Sequence, residues 1–80
     1  MNKHTMVSIN YRTFTDQVED AMIIAKTNAI SVRRNAAGYY DPESRAAAYE
    51  ARVEALFEAW QMATISNYEE IDRARLADLL

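Results

Sequence analysis

His4 is the only imidazole in the chain, and there is no cysteine to accompany it. Nucleophilic catalysis of the Ser–His or Cys–His kind would have to run through His4, which sits near the amino end where side chains are poorly held. A general base must lie within hydrogen-bond reach of the proton it takes, so no catalytic role is expected of His4. Structural zinc in its usual forms needs thiolates or several imidazoles. The Glu-x-x-His pattern of helical di-metal bundles is also absent. The chain is therefore expected to be no enzyme, and no cofactor or metal is expected.

Carboxylates recur at helical spacing. Asp16 and Asp20 are four apart, and Glu50, Glu54 and Glu58 form a longer series that Glu43 continues. Like charges at i,i+4 repel weakly, and a solvated helix face is their ordinary reading. Their functional reading is an acidic stripe that docks a basic partner or imitates nucleic-acid phosphates. The one basic cluster is Lys26, Arg33 and Arg34. It complements a helix dipole or, alternatively, contacts phosphate in a nucleic-acid-binding transcriptional regulator. Tyr39 and Tyr40 fall where a turn would be polar; beside Arg33 and Arg34 they have the residue types enriched at interface hot spots.

The elements that hold these residues follow from spacing. Val18, Met22, Ala25, Ala29, Val32 and Ala36 are separated by four, three, four, three and four, a heptad seam. Ile23 and Ile30, seven apart, widen it beyond what one neighbouring helix can cover, which makes them candidates for self-association. A capping-box-like Thr13-Phe14-Thr15-Asp16 predicts a helix over about 14–37. Gly38 is expected to end it in the left-handed conformation. Asp41 as N-cap and Pro42 at the first helical position start a second helix over about 42–65. A connection this short makes the two antiparallel neighbours.

In the second helix Tyr49, Val53, Leu56, Trp60 and Ala63 repeat the four-three spacing, and Phe57 widens the seam. Ala46, Ala47, Ala48, Ala51, Ala55 and Ala59 slim it for close approach by a partner helix. Ser66-Asn67-Tyr68-Glu69 reads as a further capping box. It predicts a third helix over about 67–79, with Tyr68, Ile71, Leu76 and Leu79 as its apolar positions. Before the first helix, Val7, Ile9 and Tyr11 alternate with polar residues, the period of a strand. Residues 6–12 are expected to form an extended arm or short strand that packs across the helices or pairs with another copy; the alternative is that Ser8 caps a longer first helix.

The expected fold is thus all-α, an antiparallel hairpin completed to a three-helix bundle, with residues 1–80 as one domain. Half of the 80 residues are apolar, with one glycine and one proline, too few for a turn-rich β-sandwich. A core this small rarely leaves more than about 3–5 kcal/mol of net stability, which very regular helix packing or association with another chain must supplement. The net charge of −3 argues against nonspecific binding to nucleic acid or anionic membrane. No apolar run approaches ~18 residues, and a cytoplasmic location is the default expectation.

In size, acidity and want of catalytic residues the chain resembles the small regulators and inhibitors that phages and mobile elements encode. Such proteins act by occupying a surface on a host protein. The resemblance and the surface features imply a helical protein-interaction module with a protein partner, capable of forming a homodimer. Partner binding is assigned to Arg33, Arg34, Tyr39, Tyr40, Glu50, Glu54 and Glu58, and self-association to Ile23, Ile30, Val7, Ile9 and Tyr11. A structural subunit of a larger assembly is the further alternative.

Overall fold

The heptad seam of the first helix begins earlier than its capping signals suggest. Counting back from Val18 in steps of three and four reaches Thr15 and Tyr11. In the computed structural model, which describes the backbone of residues 3–65 and 67–80 and the side chains of 11–65 and 67–80, helix persists through all of these positions. Helix α1 spans Lys3–Arg34, α2 Pro42–Thr64 and α3 Glu70–Ala77. The predicted arm or strand over 6–12 is therefore corrected to helix. An extended arm has no strand to pair with among the described residues, whereas a helix satisfies its backbone groups internally. Thr13 and Thr15 accordingly start nothing. Thr15 lies fully buried in mid-helix.

Helices α1 and α2 form the expected antiparallel hairpin, and the molecule is elongated, 55 × 20 × 16 Å. Val18, Met22, Ala25, Ala29 and Val32 face Ala46, Val53, Phe57 and Trp60 across the seam, and Leu76 of α3 closes its lower half. Of the alanines that slim α2, Ala46 alone is buried between the helices. Ala47, Ala48, Ala51, Ala55 and Ala59 point to solvent.

The tip departs from the glycine-stop expectation. Helix α1 ends at Arg34, and Asn35 caps its last turn by donating Nδ2–H to the Ser31 carbonyl at 3.0 Å. A 3-10 turn follows over Ala36–Gly38. Gly38 does not take a positive φ; the left-handed residue is Asp41, at φ 54°. Pro42 disfavours the right-handed helical basin for the residue before it, and aspartate tolerates the left-handed one. Asp41 still caps α2, accepting from the Ser44 N–H at 3.4 Å.

A Cβ at Gly38 would meet nothing within 4 Å. With φ not positive, Gly38→Ala should therefore stabilise the fold by about 0.4–1 kcal/mol through the unfolded chain's entropy. A melting temperature that falls would restore the left-handed reading.

The third helix starts later than its capping pattern suggests. Ser66, the first residue of that pattern, lies outside the described residues. Asn67–Glu69 are not helical, and Glu69 takes the N-cap position without a side-chain cap. Tyr68 is instead drawn onto the indole of Trp60, ring centroids 5.0 Å apart. Ile71, expected inside, is exposed, and Asp72 is buried in its place.

Candidate functional site

Two sets of residues come together around α3, one polar and one apolar. The polar set ties α3 to α1. Asp72 is only 1% exposed, yet its carboxylate is fully engaged. Tyr11 donates its hydroxyl proton to Oδ2 at 2.7 Å, and Arg12 reaches Oδ2 at 2.7 Å and Oδ1 at 3.2 Å. Arg75, one turn on, lies 2.9 Å from Oδ1 and also donates to Glu19 of α1 at 2.9 Å. The Tyr11 hydroxyl oxygen in turn accepts the Glu69 N–H at 2.9 Å, which satisfies the start of α3.

Burial opposes ionisation of Asp72, but the hydrogen bonds from Arg12 and Tyr11 and the charges of Arg12 and Arg75 outweigh it. The carboxyl is held below its ordinary value. Burial, and then the bond to Asp72, push the Tyr11 hydroxyl above its own. This arrangement binds two parts of one chain, and every carboxylate oxygen already has a partner. It acts as a clamp between α1 and α3.

The apolar set is the continuation of the groove that α3 occupies. Above the last residues of α3 the groove between α1 and α2 lies open, with a volume of about 460 Å³. Ala29 and Val53 form its floor. Lys26 and Ile30 stand on the α1 wall, Ala47, Ala51 and Glu54 on the α2 wall, and Leu79 and Leu80 at its lower end. At the tip it is bridged by Arg33, which donates to Glu43 at 2.9 Å and to Glu50 at 2.8 Å. Ile30 remains 46% exposed beside this opening.

The residues singled out by spacing are thus distributed unevenly. Arg33 and Glu50 meet each other, so the basic cluster and the acidic stripe partly neutralise one another. Lys26 and Glu54 face one groove; Arg34 and Glu58 are exposed outside it. Tyr40 is 90% exposed at the tip, whereas Tyr39 lies under the guanidinium of Arg45, 5.6 Å from ring centre. Of the self-association candidates, Tyr11 is taken up by Asp72 and Trp60, Ile23 and Ile30 are exposed, and the side chains of Val7 and Ile9 lie outside the described residues. Among the described residues no three of histidine, aspartate and glutamate converge as a metal site would require. No helix among them is long and apolar enough to cross a membrane.

Sequence reasoning missed Asp72, which stands four and seven residues before Leu76 and Leu79. That spacing places it on the inner face of α3 and was the available signal. No protein-family model, no curated protein and no solved structure matches this chain.

Proposed function

We propose that this protein is a non-enzymatic helical interaction module whose open groove receives apolar side chains from a helix of a protein partner. Its action is then that of a small regulator or inhibitor, which blocks its partner by occupying a surface. The observation that carries this reading is a groove that α3 fills only in part. In support, the half occupied by α3 already holds a short helix that turns Leu76 and Leu79 inward beside the clamped Asp72. The open half offers the same floor, about 10 Å of α1 from Lys26 to Arg33. A partner helix laid end to end with α3 would meet Ile30 and Leu79 with its apolar side and Lys26 and Glu54 with its polar rim, the usual anatomy of a helix-in-groove contact.

The nucleic-acid reading draws less support. Arg33 is engaged by two carboxylates and Lys26 stands in the groove, so the cluster does not offer three free cations to a phosphate backbone.

Ile30→Glu places a charge on the wall of the open half. It should weaken capture of the partner from a host lysate at least tenfold, with helicity by circular dichroism unchanged. Undiminished capture by the variant, or salt-sensitive DNA binding by the parent protein, would overturn the reading.

A further inference from the structure

The hairpin has a second flank, opposite α3 and the groove. At 3.6 residues per turn, Gln17, Ala21, Ile24 and Asn28 run along that side of α1, and Arg45, Arg52, Leu56 and Ala59 along that side of α2. Ile24, 61% exposed, and half-buried Leu56 give the flank an apolar centre. Arg45 and Arg52 give it a cationic rim.

These two arginines differ from Arg12, Arg33, Arg73 and Arg75, each of which pairs with a carboxylate of the chain. Arg45 and Arg52 pair with none among the described residues, although the chain has 12 aspartates and glutamates. A helical carboxylate reaches a cation from three or four residues away, and those positions hold Pro42, Ala48, Tyr49, Ala55 and Leu56. Asp41, four before Arg45, has its carboxylate on the Ser44 N–H. The α1 side of the flank holds no acid either; Asp20 stands at its outer edge. Both guanidiniums nonetheless rest on a ring, Arg45 over Tyr39 at 5.6 Å and Arg52 over Tyr49 at 6.0 Å. Their N–H donors, a fork shaped for carboxylate, meet no acceptor among the described residues. An arginine already laid on a ring loses less rotamer freedom on pairing than one loose in solvent.

We infer that this flank docks an acidic amphipathic helix of a protein partner, its apolar side chains over Ile24 and Leu56 and two of its carboxylates on Arg45 and Arg52. The arginines stand seven residues apart on α2, about 10.5 Å along the axis, so carboxylates seven apart on a helix laid alongside match them. Charge complementarity selects this occupant. A second copy would bring the same two arginines and no acid, because a two-fold contact sets a surface against itself. A nucleic-acid backbone would find only two cations here, on a chain of net charge −3, and its phosphates would gain nothing from Ile24 and Leu56. The flank lies across the hairpin from the groove, so this inference stands or falls apart from the groove reading.

Fluorescence anisotropy on the full chain tests this. The probe is a dye-labelled, alanine-rich helical peptide of about 18 residues, long enough to hold a helix, with leucines spaced four and three on one face and two glutamates seven apart beside them. It should bind saturably and more weakly as salt is added. Reversing both cations, Arg45→Glu with Arg52→Glu, should weaken binding at least tenfold with helicity unchanged. The same peptide with lysines for its glutamates should prefer the reversed variant to the parent. If the double variant loses helicity, Arg52→Gln alone should weaken binding about threefold. Ile30→Glu, on the groove side, should leave binding unaltered. A parent protein that does not bind the peptide overturns the inference. So does equal affinity for parent and folded double variant, loss of binding in Ile30→Glu, or displacement of the peptide by duplex DNA.

Discussion

Trp60→Ala is expected to leave the chain unfolded at 25 °C. Trp60 is fully buried and sits where all three helices meet. Its ring lies 6.5 Å from Tyr11, 6.3 Å from Phe57 and 5.0 Å from Tyr68, so truncation removes one member from three aromatic pairs at once. Its indole N–H donates to the Thr15 hydroxyl at 2.9 Å, and that hydroxyl, fully buried, would lose its donor. Large-to-small changes at buried aromatics cost about 3–5 kcal/mol, as much as a core of this size supplies in total. Loss of the cooperative thermal transition in far-ultraviolet circular dichroism would confirm it. Trp60→Phe keeps an aromatic ring at the junction and gives up the N–H and part of the ring volume, so its loss should be smaller, about 1–3 kcal/mol. A Trp60→Ala protein that melts like its parent would show that the three-helix junction is not where the stability lies.

Asp72→Ala should have the second largest effect, and a local one. The substitution strands no ion, because Arg12 and Arg75 are exposed enough to turn to water. What is lost is a buried, charge-assisted set of hydrogen bonds, worth about 1–3 kcal/mol. That loss falls on α3, whose eight residues are too few to hold a helix alone, since isolated helices are marginal below about 12–15 residues. Amide exchange over 70–77 should accelerate while α1 and α2 keep their protection; uniform acceleration would mean that α3 is not a separable unit.

Acid should do to the parent protein what the substitution does at neutral pH. A carboxyl whose folded value lies below its unfolded one contributes stability that is complete above the unfolded value, about 3.9, and that is lost as pH falls through the folded value. Release of α3 is therefore expected below about pH 4, and Asp72→Ala should lack that part of the acid transition. The exposed Glu70–Arg73 pair should contribute little to it.

The hairpin was legible in the residues because two signals agreed. The four-three spacing ran through both helices, and Asp41-Pro42 marked a restart next to the only glycine. The beginning of α1 was not legible, because Val7, Ile9 and Tyr11 satisfy a period of two over a stretch too short to rule out a period of 3.6. What decides it at Tyr11 is a set of partners about sixty residues away, Glu69 and Asp72, which no local pattern contains. The same partners displaced the start of α3, where Tyr68 and the Glu69 N–H serve Trp60 and Tyr11 instead of a capping box. Gly38 misled for another reason: the left-handed residue of the tip is the aspartate that Pro42 constrains. The partner-binding residues were legible as types only. That Arg33 would be engaged by Glu43 and Glu50, leaving the groove below them open, depends on how two helices are registered across the turn.

The clamp on Asp72 also sets an order of events in time. Tyr11 and Asp72 are 61 residues apart, whereas the hairpin closes through the few residues between Arg34 and Pro42. Closing the shorter loop costs less entropy, so the hairpin is expected to assemble first and α3 to dock on a surface already formed. Contacts made after the rate-limiting barrier act on escape from the native state and not on entry into it. Weakening the clamp should therefore quicken unfolding while leaving the refolding rate almost as it was, and the last piece of the molecule to arrive is the first to leave.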